Sequence, residues 1–114
     1  MPLEKKLQLK PDQKISIIGN EKIAALKKLQ TAKNADALLV FVESQKELAK
    51  YLKQLQNAAA AEKLTWVAYP KAKQLDADIN RDSLHKFFAK NNLDTVRQIA
   101  IDDVWSALRL KIKT

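Results

Sequence analysis

Apolar positions fall along the chain in two alternating rhythms: short unbroken runs, and longer stretches in which they return every three or four residues. The first run, Lys14-Ile15-Ser16-Ile17-Ile18-Gly19, predicts a buried strand that ends at Gly19 and Asn20. Asn20 is placed to cap a following helix, with Glu21 in its first turn. Ile23, Leu26 and Leu29 give that helix a narrow apolar stripe up to about Thr31. Ala37 to Val42 is continuous rather than alternating, the pattern of a strand covered on both faces. Ser44 and Glu47 then form an S-x-x-E capping box. Leu48, Tyr51, Leu52, Leu55 and Ala59 follow at helical spacing, the strongest periodic signal in the chain.

Leu64 to Tyr69 reads as a third strand, stopped by Pro70, which has no N–H to give to a ladder. Residues 71–79 form a loop containing lysine and aspartate, and a helix from about Asn80 to Asn91 buries Leu84, Phe87 and Phe88. Thr95–Ile101 and Val104–Lys113 are β-favouring runs separated by Asp102-Asp103, which predicts an antiparallel hairpin. A two-residue turn sets Ala100 opposite Trp105 and Val96 opposite Arg109 on one face. On the other face Ile99 opposes Ser106 and Arg97 opposes Leu108. Residues 1–14 read as a polar lead-in with Leu3, Leu7 and Leu9 free to dock. The order β-α-β-α-β-α plus a terminal hairpin predicts a single three-layer α-β-α domain around a short, mainly parallel sheet.

Composition narrows the chemistry. The 114 residues suffice for one core, and the absence of cysteine excludes disulfides, thiolate catalysis and cysteine-ligated metals. His85 is the only histidine, so no multi-histidine metal site can form. No apolar run follows Met1–Lys6, and the longest such stretch, Ala37–Val42, is too short for a bilayer, so the expectation is a cytoplasmic protein. A net charge of +8 permits nucleic acid or an acidic surface as partner. The 21 basic residues are scattered, however, and only Arg81, Arg97 and Arg109 are arginines, so the charge reads as solvated surface.

Gly19 is the only glycine, which leaves neither a dinucleotide fingerprint nor a P-loop, and Glu21 places negative charge where a phosphate would sit. Asp76, Asp78, Asp82, Asp102 and Asp103 could in principle hold a hard cation. Asp102-Asp103 is better suited to a turn, and no metal or cofactor site is expected. No nucleophile elbow accompanies His85, which reads as a helix-surface residue, and Trp66 and Trp105 read as core aromatics. Asn80-Arg81-Asp82 is the best functional candidate, a helix N-terminus with a guanidinium beside it. The same three residues also suit a plain cap with an Arg–Asp ion pair. Lys71 and Lys73 lie just past a strand's C-terminal end, where open α/β sheets bind ligands, and a solvated loop fits them equally well.

The segments Pro2–Leu7, Lys10-Pro11, Ala37–Val42, Leu64–Lys71 and Ile101–Arg109 together resemble a family of small bacterial proteins classed as a domain of unknown function. The resemblance covers nearly the whole chain. It implies no activity, and a strand order similar to the C-terminal half of a class I methyltransferase-like Rossmann fold, an analogy of fold alone. Asp12-Gln13 stands where that family usually has Pro-Gly, and most of its glycines are absent.

The sequence therefore leads to a non-enzymatic cytoplasmic binding or interaction module for an anionic small molecule or protein. Its recognition edge comprises Lys71, Lys73, Asn80, Arg81, Asp82 and Arg109. Two alternatives stand beside it. A degenerate methyltransferase-like protein with an adenosine-type ligand would show a pocket beside Gly19 and Val42. A nucleic-acid binder would show a steep salt dependence. No membrane partner is expected.

Overall fold

The computed structural model describes residues 3–10, 12–19, 26, 29–33, 35–71 and 79–113. Its elements are α1 (Leu3–Lys6), β1 (Ile15–Ile18), β2 (Ala37–Phe41), α2 (Gln45–Ala60), β3 (Leu64–Pro70), α3 (Arg81–Lys90), β4 (Leu93–Ala100) and β5 (Trp105–Ile112). Every residue of β2 is buried, as its unbroken apolar run requires: Leu38 and Val40 face α2 while Ala37, Leu39 and Phe41 face the opposite side. In α2 the Ser44 hydroxyl accepts from Glu47 N at 3.2 Å. The Glu47 carboxylate reaches back to Glu43 N at 2.9 Å, one residue further than a standard capping box. With one glycine in the chain, a glutamate ends this helix: Glu62 takes φ +61° while Glu62 N and Lys63 N bond Ala59 O and Ala58 O.

The expected three-layer α-β-α sandwich around a mainly parallel sheet is not what forms. The sheet is mixed, in the order β1-β2-β3-β5-β4, with β1–β2 and β2–β3 parallel and β3–β5 and β5–β4 antiparallel. Both long helices lie on one face, where Leu48 and Leu55 of α2 and Leu84 and Phe88 of α3 pack with Val40, Val67 and Leu108. The crossovers β2-α2-β3 and β3-α3-β4 step across the sheet in the same direction, so a common handedness places both helices on that side. On the opposite face Trp66, Trp105 and Leu39 pack with Leu7, Leu26 and Leu29, and the only described helix there is the four-residue α1. Thr31 bridges to Ile15, so the expected Asn20–Thr31 helix does not extend through it; Asn20, Glu21 and Ile23 lie outside the described residues.

The hairpin register also differs by one residue from the expected one. Ala100 pairs with Ser106, Ile99 with Ala107, Gln98 with Leu108 and Arg97 with Arg109. The turn is longer than Asp102-Asp103 because Asp102 builds it: Asp102 Oδ1 accepts from Val104 N and Trp105 N, both at 2.8 Å. A one-residue shift reverses which face each side chain meets. Ser106 and Gln98 thus join the α3 side, while Trp105, Ala107 and Arg109 face the other. Replacing Asp102 with alanine strips two backbone donors of their acceptor, an expected loss of about 1–3 kcal/mol. Chemical denaturation measures it, and a change within experimental error would show that the turn holds without the carboxylate.

Candidate functional site

The N-terminus of α3 overhangs the sheet where β3, β4 and β5 come together. Asn80 caps it with the expected geometry: its Oδ1 accepts from Ser83 N at 2.9 Å, and Ser83 Oγ accepts from Asn80 N at 2.9 Å. This reciprocal pair leaves the first-turn amides of Arg81 and Asp82 outside the box, at the positive end of a ten-residue helix. Below them is a cavity of about 640 Å3 bounded by Tyr69 and Lys71 from β3 and its end, Gln98 and Ala100 from β4, and Ser106 from β5.

Tyr69 is the central group of this cavity. It is 3% exposed, and its hydroxyl has no hydrogen-bond partner of good geometry. Burial pushes the phenol pKa up, while the Arg81 charge and the neighbouring Ser106 hydroxyl pull it down and Asp82 adds to the rise. The hydroxyl therefore lies within the field of both charges at the cavity wall, beside the Ser106 hydroxyl, and stays protonated at neutral pH.

Arg81 spans the mouth. Its Nη1 donates to Gln98 Oε1 at 3.3 Å, and its Nε stands 3.8 Å from Asp82 Oδ1. Both side chains of that ion pair are mostly exposed, so water screens it and it holds Arg81 only weakly. The cap and the Arg–Asp pair foreseen as the structural role of these residues are both present, together with a cavity that neither role requires. A second cavity, about 330 Å3, continues from the first along α3, sharing Arg81, Asp82 and Gln98 and extending to His85, Thr95 and Arg97. His85 is exposed on α3, with Nδ1 2.6 Å from Thr95 Oγ1.

Of the expected edge, Lys71, Asn80, Arg81 and Asp82 come together around the first cavity. Lys73 lies outside the described residues, as do Asp76 and Asp78. Arg109 does not belong to the edge. It faces away from α3, pairs in register with Trp66, and donates to Gln8 Oε1 in the N-terminal segment. The residues that sequence reasoning missed are Tyr69, Ser106 and Gln98. The phenol was a signal of its kind, the one hydroxyl inside the apolar run Trp66–Tyr69.

An adenosine-type ligand would call for a pocket beside Gly19 and Val42. One cavity among the described residues lies near β1 but includes neither Gly19 nor Val42 in its lining. That cavity, about 550 Å3, lies between β1 and the C-terminal half of α2, lined by Ser16, Ile18, Leu38 and Ala58. Among the described residues no group of three or more potential metal ligands gathers, and no helix is long and apolar enough to cross a membrane. No protein-family model matches the chain, and no curated protein matches it.

Proposed function

We propose that this protein is a binding module that takes a small anionic ligand in the cleft between the first turn of α3 and the ends of β3, β4 and β5. The observation that carries the reading is the buried Tyr69 hydroxyl, unpaired and bordering a cavity whose rim holds Lys71 and Arg81. A buried polar group without a partner costs about 1–3 kcal/mol, a cost that a ligand oxygen accepting from the phenol would offset. The exposed side chains of Arg81 and Gln98 can change rotamer to admit it. Arg81 then supplies a forked donor to the anion and exchanges its weak pairing with Asp82 for a better one. The two first-turn amides of α3 add favourable dipoles from above.

Isothermal titration with inorganic phosphate, sulfate and small carboxylates at low salt tests this reading. Arg81→Ala is expected to weaken binding of the best anion about fivefold, in keeping with one charge-assisted hydrogen bond at a partly solvated site. Because Arg81 is mostly exposed, its melting temperature should stay close to that of the parent. Equal binding by parent and variant would remove Arg81 from the site.

A further inference from the structure

The face of the sheet away from α3 carries a second group of cations, and the ladder itself assembles it. Leu93, Asp94 and Thr95 of β4 pair with Ile112, Lys111 and Leu110 of β5. Continued in step, that register would set Val96 opposite Arg109 and Arg97 opposite Leu108. The pairing slips between Thr95 and Arg97, however, and Arg97 stands directly opposite Arg109. Val96, the residue passed over, is the one exposed large hydrophobic side chain among those described. The edge strand thus leaves a valine in water and sets two like charges against each other, and each of these costs stability. Bulges re-aim side chains beside binding sites, and local rules broken at one point are expected where function competes with the fold.

Opposed residues of an antiparallel pair project to the same face of the sheet, with Cα atoms about 4.5–5.5 Å apart. Arg109 is in register with Trp66 of β3, whose indole lies on the side away from α3. Arg97 shares that side, and it meets the cavity along α3 only from the edge of the sheet. The two arginines are held differently. Arg109 Nη1 donates to Gln8 Oε1, which fixes its guanidinium, while Arg109 Nε is buried with no partner. Arg97 is exposed, and among the described residues it has no hydrogen bond or ion pair. Asp94, the one carboxylate on this face of the β4–β5 ladder, stands opposite Lys111. Lys6 of α1 adds a further cation where its Nζ donates to Ala100 O at 3.4 Å.

We propose that Arg97 and Arg109 together bind a tetrahedral phosphate-type dianion, free or carried by a small ester. One guanidinium fork satisfies a planar carboxylate, whereas a tetrahedral dianion offers oxygen edges to two forks and charge enough for both. Its binding replaces repulsion across the ladder with two charge-assisted contacts and gives Arg109 Nε an acceptor. This site lies on the opposite face from the cleft under α3 and makes no use of Tyr69 or Arg81.

Titration with inorganic phosphate, followed by amide NMR shifts at an ionic strength held constant with chloride, tests the proposal. The amides of Arg97, Ile99 and Arg109 are expected to shift saturably. Their dissociation constant should be independent of any reported by Asp82 and Ser106 in the cleft. Arg97→Gln, a change at an exposed position, should weaken binding at the first group at least about fivefold. It should leave any binding at the second within about twofold, since the two lie on opposite faces. Arg81→Ala should leave the first group within about twofold of the parent, whether or not the cleft binds an anion. Methyl phosphate, titrated in parallel, separates the two sources of the dianion by which of them binds the tighter. No saturable shift at Arg97, Ile99 and Arg109 with either compound, or a shift unchanged in Arg97→Gln, would overturn the site.

Discussion

Replacing Trp66 with alanine is expected to cost about 3–5 kcal/mol, the largest loss any single truncation in this chain should produce. Domains of this size are stable by only about 5–15 kcal/mol, so the urea midpoint should fall steeply. Trp66 is fully buried on β3, the middle strand of the five, and packs in one cluster with Leu7, Leu39 and Trp105. Its indole also ties down the N-terminal segment: Nε1 donates to Leu7 O at 3.2 Å in a buried setting. Trp66→Phe separates the two roles, since phenylalanine keeps most of the apolar volume but removes the donor. That variant should fold, lose about 1–3 kcal/mol through the orphaned carbonyl, and exchange its amide protons at Leu7 and Leu9 faster. Those amides bond Leu3 O and Glu4 O, so they report directly on whether the segment has loosened. Unchanged exchange at both would mean that the indole fills the core and anchors nothing.

The five strands and the helices α2 and α3 were legible because each carries a local signal, whereas the four-residue α1 falls in what reads as a polar lead-in. The unbroken run in β2 announced a strand covered on both sides, and the Leu48–Ala59 stripe announced α2 together with its buried face. Asn80 announced its own capping role, since the preference of asparagine for that position is a property of its side chain and needs no tertiary partner. The layering was not legible. Periodicity fixes which face of a helix is apolar, but nothing local to the helix fixes which side of the sheet that face will cover. The hairpin register failed for a related reason. Asp102 uses its carboxylate to accept two N–H groups, and the resulting longer turn moves every later side chain to the other face. In the observed sheet Arg109 pairs with Trp66 on the face away from α3, and Ser106 pairs with Tyr69 on the α3 face.

Tyr69 escaped notice for a different reason. In a strand buried on both faces, alternation gives no contrast between a side chain packed in the core and one that borders a cavity. Only the insertion of β5 between β3 and β4 makes the distinction. It widens the sheet beyond β3, so that α3 must reach across β5 to return the chain along β4. The first turn of α3 is left above Tyr69 and Ser106 rather than packed on them, and the cavity is the space between.

Tyr69→Phe is expected to lower affinity for the bound anion tenfold or more while leaving the free protein as stable as the parent, or up to about 1 kcal/mol more stable. The two effects have one origin. In the unliganded protein the hydroxyl is buried and unpaired, so its removal relieves a desolvation cost and sacrifices no bond. In the complex the same hydroxyl donates to a charged acceptor, an interaction of about 1.5–3 kcal/mol that phenylalanine cannot replace. Alkaline pH supplies an independent check. The folded-state pKa of Tyr69 is raised, chiefly by burial, so the unfolded chain releases the phenolic proton first as pH climbs past about 10. The unfolded state then binds fewer protons than the folded one, and stability falls with rising pH from that point upward. Below it the contribution of Tyr69 does not change with pH. Phenylalanine has no proton to lose, so the variant's stability should decline less between about pH 10 and 11 than the parent's. An affinity equal to the parent's, together with a loss of stability, would mean that the hydroxyl serves the fold and that the anion binds elsewhere.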